Sequence, residues 1–79
     1  MSDTFERVRA VTADLLKVSP EKITPDSRFV EDLGAVSMQS VELVATLEEE
    51  FDVEIDEREA WKMKTVGQAA GYLDRLLES

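Results

Sequence analysis

Apolar positions recur with the period of an α-helix over four stretches of the chain. With residues set about 100° apart, Thr4 to Lys17 gathers Phe5, Val8, Val11, Leu15 and Leu16 in one arc and turns Glu6, Arg7, Arg9, Asp14 and Lys17 away from it. Asp3 with Glu6 three positions on has capping-box spacing, and Pro20 forbids a long continuation, so this first helix is predicted to end near Lys17. The second helix runs from about Ser37 to Phe51, with Leu43, Val44, Leu47 and Phe51 on a core-facing arc. Its other flank carries Met38, Val41 and Ala45 among Glu42, Glu48 and Glu49, a mixture of apolar and acidic groups suited to docking a partner.

Asp56 and Glu59 repeat the capping-box spacing and predict a short third helix, about Glu57 to Trp61, before the basic link Lys62-Met63-Lys64. Thr65 and Gln68 start a fourth, which collects Val66, Ala69, Ala70, Leu73, Leu76 and Leu77 on one face. Gly67 and Gly71 cost helix propensity and are read as places where another helix packs closely. Residues 18 to 36 form a connection longer than a compact bundle normally carries, pinned by Ile23, Phe29, Val30 and Leu33, with Gly34 supplying a turn. The expectation is an all-α fold, a small four-helix bundle of three longer helices and one short one, forming a single domain over residues 1–79.

The composition narrows the chemistry. With 79 residues, one thin core must carry the stability. The absence of both His and Cys removes the usual neutral-pH base, the thiolate nucleophile and the common zinc ligands. An enzyme is therefore the weakest function class. The net charge of -9 argues against nucleic acid as a partner and for basic protein surfaces. That charge is concentrated, since residues 42 to 59 hold nine acids and the single base Arg58. The same segment lacks the loop glycine and alternating ligand spacing of an EF-hand, so no metal site is expected. The opening residues hold no secretory apolar region, and no apolar run approaches the roughly 20 residues of a membrane span, so a cytoplasmic protein is expected.

Most serines, at positions 2, 19, 27, 40 and 79, read as caps or surface hydroxyls. Ser37 differs. It follows a glycine turn at the start of the acidic helix, where free backbone N–H groups and the positive end of the dipole favour a phosphate. On physical grounds the hydroxyl is either a plain helix cap or an attachment point, and both readings stay open.

The stretch FVEDLGAVSMQSVELVATLEEEFDVEI resembles the acyl carrier proteins of fatty-acid and polyketide synthesis. Phe29, Asp32, Leu33, Gly34, Ser37, Val41, Glu42, Leu43, Glu48, Glu49, Glu50 and Phe51 carry the resemblance at the family's spacing, which extends from about Phe5 to Leu77. It implies a four-helix bundle without catalytic activity of its own. Ser37 would be esterified by 4'-phosphopantetheine, delivered from coenzyme A by a phosphopantetheinyl transferase, and acyl groups would be held as thioesters on that arm. It also implies sheltering of the acyl chain among Leu47, Phe51, Ile55, Ala60, Met63 and Leu73, residues that serve equally as plain core, and monomeric behaviour.

Val36 stands where the family has Asp, Met38 replaces Leu, and Gln39 takes an often acidic position. These departures remove carboxylates that basic transferases and synthases would read, and they point to a specialised carrier. Acyl-transfer and chain-elongation enzymes with basic surfaces are the expected partners, meeting Val36, Met38, Val41, Glu42, Ala45, Glu48, Glu49 and Asp56. Trp61 is read as surface filler beside the basic link rather than as a cover over the bundle mouth. The competing reading is an acidic helical docking module that never acquires a prosthetic group.

Overall fold

A computed structural model describes residues 3–78. Helix α1 spans Asp3–Leu16, a 3-10 turn Pro20–Lys22, α2 Ser37–Phe51, α3 Glu57–Lys62 and α4 Val66–Glu78. The predicted second helix agrees at both ends. The first stops one residue early, because Lys17 turns left-handed at φ 57° and Val18 N–H reaches back to the Ala13 carbonyl at 3.1 Å. Asp3 lies within α1 rather than capping it, and Glu6 pairs with Arg9 instead of reaching back. Asp52 ends α2 in the same left-handed way, at φ 54°.

The cap predictions for the later helices fare differently from one another. Thr65 and Gln68 form a reciprocal box: Gln68 N–H donates to Thr65 Oγ1 and Thr65 N–H to Gln68 Oε1, each at 3.1 Å. Asp56 caps α3 by accepting Arg58 N–H at 2.8 Å. Glu59 does not return the bond; it pairs with Lys62.

Helix α1 packs on both α2 and α4, and Phe5, Val8, Leu43, Leu47, Val66 and Leu73 interleave in one core. Arg7 ties α1 to the end of α2, donating to the Glu50 carbonyl at 2.7 Å and lying 4.1 Å from the centre of the Phe51 ring. The long connection is packed structure. Phe29 N–H donates to the Lys64 carbonyl, and Val66 N–H to that of Ser27, both at 3.0 Å, which clamps the loop to the link before α4. Ile23 and Phe29 pin it as predicted. Val30 does not, being 58% exposed, and Leu77 at 47% also leaves the core face assigned to it. Gly34 makes the predicted turn at φ +73°. Gly67 is indeed crowded, but by the loop rather than by a helix, since a Cβ there would stand 2.8 Å from the Pro25 carbonyl oxygen; Gly71 faces open space.

Ser2 and Ser79 lie outside the described residues. Ser27 is buried, accepting Thr24 N–H at 2.9 Å, and Ser40 donates to the Val36 carbonyl. Ser40 has a local role within α2, whereas Ser27 is neither a cap nor a surface hydroxyl, because the turn from Thr24 folds its side chain inward.

Candidate functional site

Ser37 is the first residue of α2, and the cap position belongs to extended Val36. Plain capping is therefore not what Ser37 does. Its neighbours spend their polar groups on Val36: Val36 N–H donates to Gln39 Oε1 at 3.0 Å, and Ser40 Oγ donates to the Val36 carbonyl at 3.4 Å. The Ser37 hydroxyl is exposed, and no group among the described residues hydrogen-bonds to it. Valine offers no acceptor to the first turn, so the amides there are open beside the hydroxyl at the positive end of the helix dipole.

Asp32, in the Asp-Leu-Gly segment before the turn, is committed elsewhere. Its Oδ2 accepts the Arg28 backbone N–H at 2.8 Å and pairs with the Arg28 guanidinium at 3.2 Å. These bonds, the side-chain one foremost, hold its carboxyl below the ordinary 3.8, and the same partner raises Arg28. The pair shapes the loop that presents Ser37; Glu31 joins it from the other side at 3.0 Å.

Beside Ser37 lies a cavity of about 670 Å³ between α2, α3 and the loop. Of the residues expected to shelter a chain, Leu47, Ile55, Ala60 and Met63 line it. Phe51 and Leu73 do not: Phe51 packs beneath Arg7, and Leu73 is fully buried in the core. Phe29, Ala35, Leu43, Val44 and Ala69 complete much of the apolar wall and were not foreseen, because they come from the loop, α2 and α4, which meet only in the fold. Glu31, Glu48, Glu57 and Lys64 are its charged members. A second depression of about 640 Å³, between the loop and α3–α4, is more polar and does not include Ser37.

The docking residues divide. Val36, Met38, Val41, Glu42, Ala45, Glu49 and Asp56 are exposed, Met38 and Val41 at 76% and 71%. Glu48 is half-buried, and its Oε2 accepts the Ile55 N–H at 2.8 Å, holding the chain that leaves α2. The Asp56 carboxylate is engaged as the α3 cap. Trp61 is 73% exposed and yet contributes to the cavity wall, so it is not only surface filler.

No helix among the described residues is long and apolar enough to cross a membrane, and no cluster of potential metal ligands occurs among them.

Residues 6–73 match the family described as "Phosphopantetheine attachment site". The chain is 49% identical over 73 residues to the acyl carrier protein of Thermosynechococcus vestitus, an alignment covering 92% of this chain and 90% of that protein. It is also 49% identical over 72 residues to the acyl carrier protein of Helicobacter hepaticus, covering 91% and 95%. A solved structure described as an acyl carrier protein from Mycobacterium tuberculosis superposes with a TM-score of 0.85 at 32% identity, covering 92% of this chain and 97% of that one.

Proposed function

The chain belongs to the acyl carrier protein family, and we propose that Ser37 is where its 4'-phosphopantetheine is attached and that the neighbouring cavity shelters the cargo. Proteins of this family carry acyl groups and do not catalyse. When bound, the prosthetic group supplies the thiol that holds an acyl group as a thioester. What this chain must supply is a reactive position, a charge environment and a surface for enzymes to read.

The observation that carries the assignment is the exposed, unbonded hydroxyl of Ser37 on the wall of an apolar cavity. A phosphodiester on that oxygen fits the site: no side chain occupies the open first-turn amides, and the helix dipole favours negative charge there. Partner enzymes, a phosphopantetheinyl transferase among them, approach along Met38, Val41, Glu42, Ala45 and Glu49, with basic groups matching the acids. Glu48 contributes less, because one of its oxygens is already held by Ile55. Val36, Met38 and Gln39 make the immediate surroundings of Ser37 uncharged, which favours a dedicated pathway over general-purpose partners. The setting is cytoplasmic and the working form a monomer.

Intact mass after incubation with coenzyme A, Mg and a broad-specificity transferase tests the assignment. One phosphopantetheine adduct is expected, absent from Ser37→Ala. An adduct that persists in Ser37→Ala places the attachment elsewhere; no adduct in either protein, even with Val36→Asp, makes the chain a docking module without the group.

A further inference from the structure

The one tryptophan of this chain sits where the core has no use for it. Leaving Trp61 73% exposed forfeits most of the roughly 150–250 Å² of burial that a large aromatic ring offers a fold. Its helix, α3, contributes no fully buried residue; it is held by partly buried Ala60 against the core, by the Asp56 cap and by Asp56 N–H donating to Tyr72 Oη at 3.4 Å. Packing within the protein therefore does not account for the ring. What it does share is the cavity that reaches Ser37. Val30 and Val41 belong to the same wall and are also exposed, while Phe29, Leu43 and Leu47 behind them are buried. Exposed apolar side chains from the loop, α2 and α3 thus rim a cavity with an apolar interior.

We infer that Trp61 is a specificity-determining residue of the carrier: its indole packs over the hydrocarbon of a carried acyl chain long enough to enter, so that longer saturated chains are held and shielded and short acyl groups are not. This rests on the reading of Ser37 as the attachment site. The occupant is hydrocarbon because the fully buried wall residues, Phe29, Ala35, Leu43, Leu47, Ile55 and Ala69, are all apolar and half-buried Glu48 already has a carboxylate oxygen accepting the Ile55 N–H; a keto or hydroxyl group entering among them would lose water without gaining a partner, whereas each methylene gains. A docking role is the alternative, since the Asp56 cap and exposed Glu57 belong to the same short helix; the place of the ring in the wall of the cavity that reaches Ser37 favours the cargo.

The single indole makes the test direct. The phosphopantetheinylated protein is compared as free thiol, acetyl and octanoyl forms. Octanoylation is expected to shift Trp61 emission to shorter wavelength and to cut acrylamide quenching by about half, as contact with hydrocarbon replaces water; the acetyl form should resemble the free thiol. Trp61→Ala should speed hydroxylamine cleavage of the octanoyl thioester by about three- to tenfold and leave the acetyl thioester unchanged, with Trp61→Phe in between. Unchanged emission and quenching on octanoylation overturn the inference. So does equal acceleration of both thioesters by Trp61→Ala, which marks general loosening, and so does quenching protection that appears only when a partner enzyme is added. Absence of any adduct on Ser37 by intact mass is the separate failure of the attachment reading, and it takes this inference with it.

Discussion

The side-chain carbonyl of Gln39 accepts the backbone N–H of Val36 at 3.0 Å, while Val36 returns no acceptor to the first turn of α2. Half of a capping box is present and the other half is missing. The helix begins at Ser37 because Gln39 and Ser40 hold the Val36 peptide in place, not because a cap stabilises the turn.

Val36→Asp supplies the missing acceptor beside the positive end of the dipole. It should stabilise the apo protein by about 1 kcal/mol, seen as a higher thermal midpoint by circular dichroism. It should also raise the initial rate of phosphopantetheinylation by a general transferase, followed by mass. A higher midpoint with no gain in rate would show that the cap and partner recognition are separate properties of this position.

Thr12 is fully buried in α1, and its hydroxyl has no hydrogen-bond partner among the described residues. A buried hydroxyl without a hydrogen bond is a cost, and valine has nearly the same shape without it. Thr12→Val is expected to stabilise by about 1 kcal/mol in urea unfolding, with an unchanged slope. A loss of stability would mean that the hydroxyl is satisfied in solution by water.

The two glycines of α4 should respond in opposite directions. At Gly67 a Cβ meets the Pro25 backbone oxygen at 2.8 Å, so Gly67→Ala should cost about 1–3 kcal/mol despite alanine's better helix propensity. Gly71 meets nothing within 4 Å, so Gly71→Ala should gain about 0.5–1 kcal/mol. Chemical denaturation of the pair checks both signs at once.

The Arg28–Asp32 pair sets part of the acid response. Asp32 has a lowered carboxyl pKa in the folded state, so its contribution is present above the ordinary 3.8 and is lost as pH falls through the lower folded value. Arg28 is shifted upward, so its side of the pair persists toward alkaline pH. Asp32→Asn should therefore lower the urea midpoint at pH 7 and narrow its gap from the unmodified protein at pH 3. An equal gap at both values would show that the amide replaces the carboxylate fully.

Much of this protein is legible along the chain because its signals are local. The span of α2, the Thr65–Gln68 box, the Asp56 cap and the turn at Gly34 each depend on residues within a few positions of one another. Periodicity likewise marks Leu43, Leu47 and Phe51 as inward-facing. It cannot say what an inward face meets. Phe51 turns to Arg7 and Leu73 to the core, while Ala35 and Ala69 become cavity wall, because the cavity is the space left where α2, α3 and the loop fail to close against each other. Val30 looks like a pin in sequence and is exposed, because the loop's backbone bonds to the link at Lys64 turn Phe29 inward and Val30 outward. Glu48 reads as one more surface acid until the chain leaving α2 brings the Ile55 amide to it. Local hydrogen bonding and helical period are written in neighbouring residues; which surfaces touch, and what hollow remains between them, depends on distant segments packing together, and that is settled only in three dimensions.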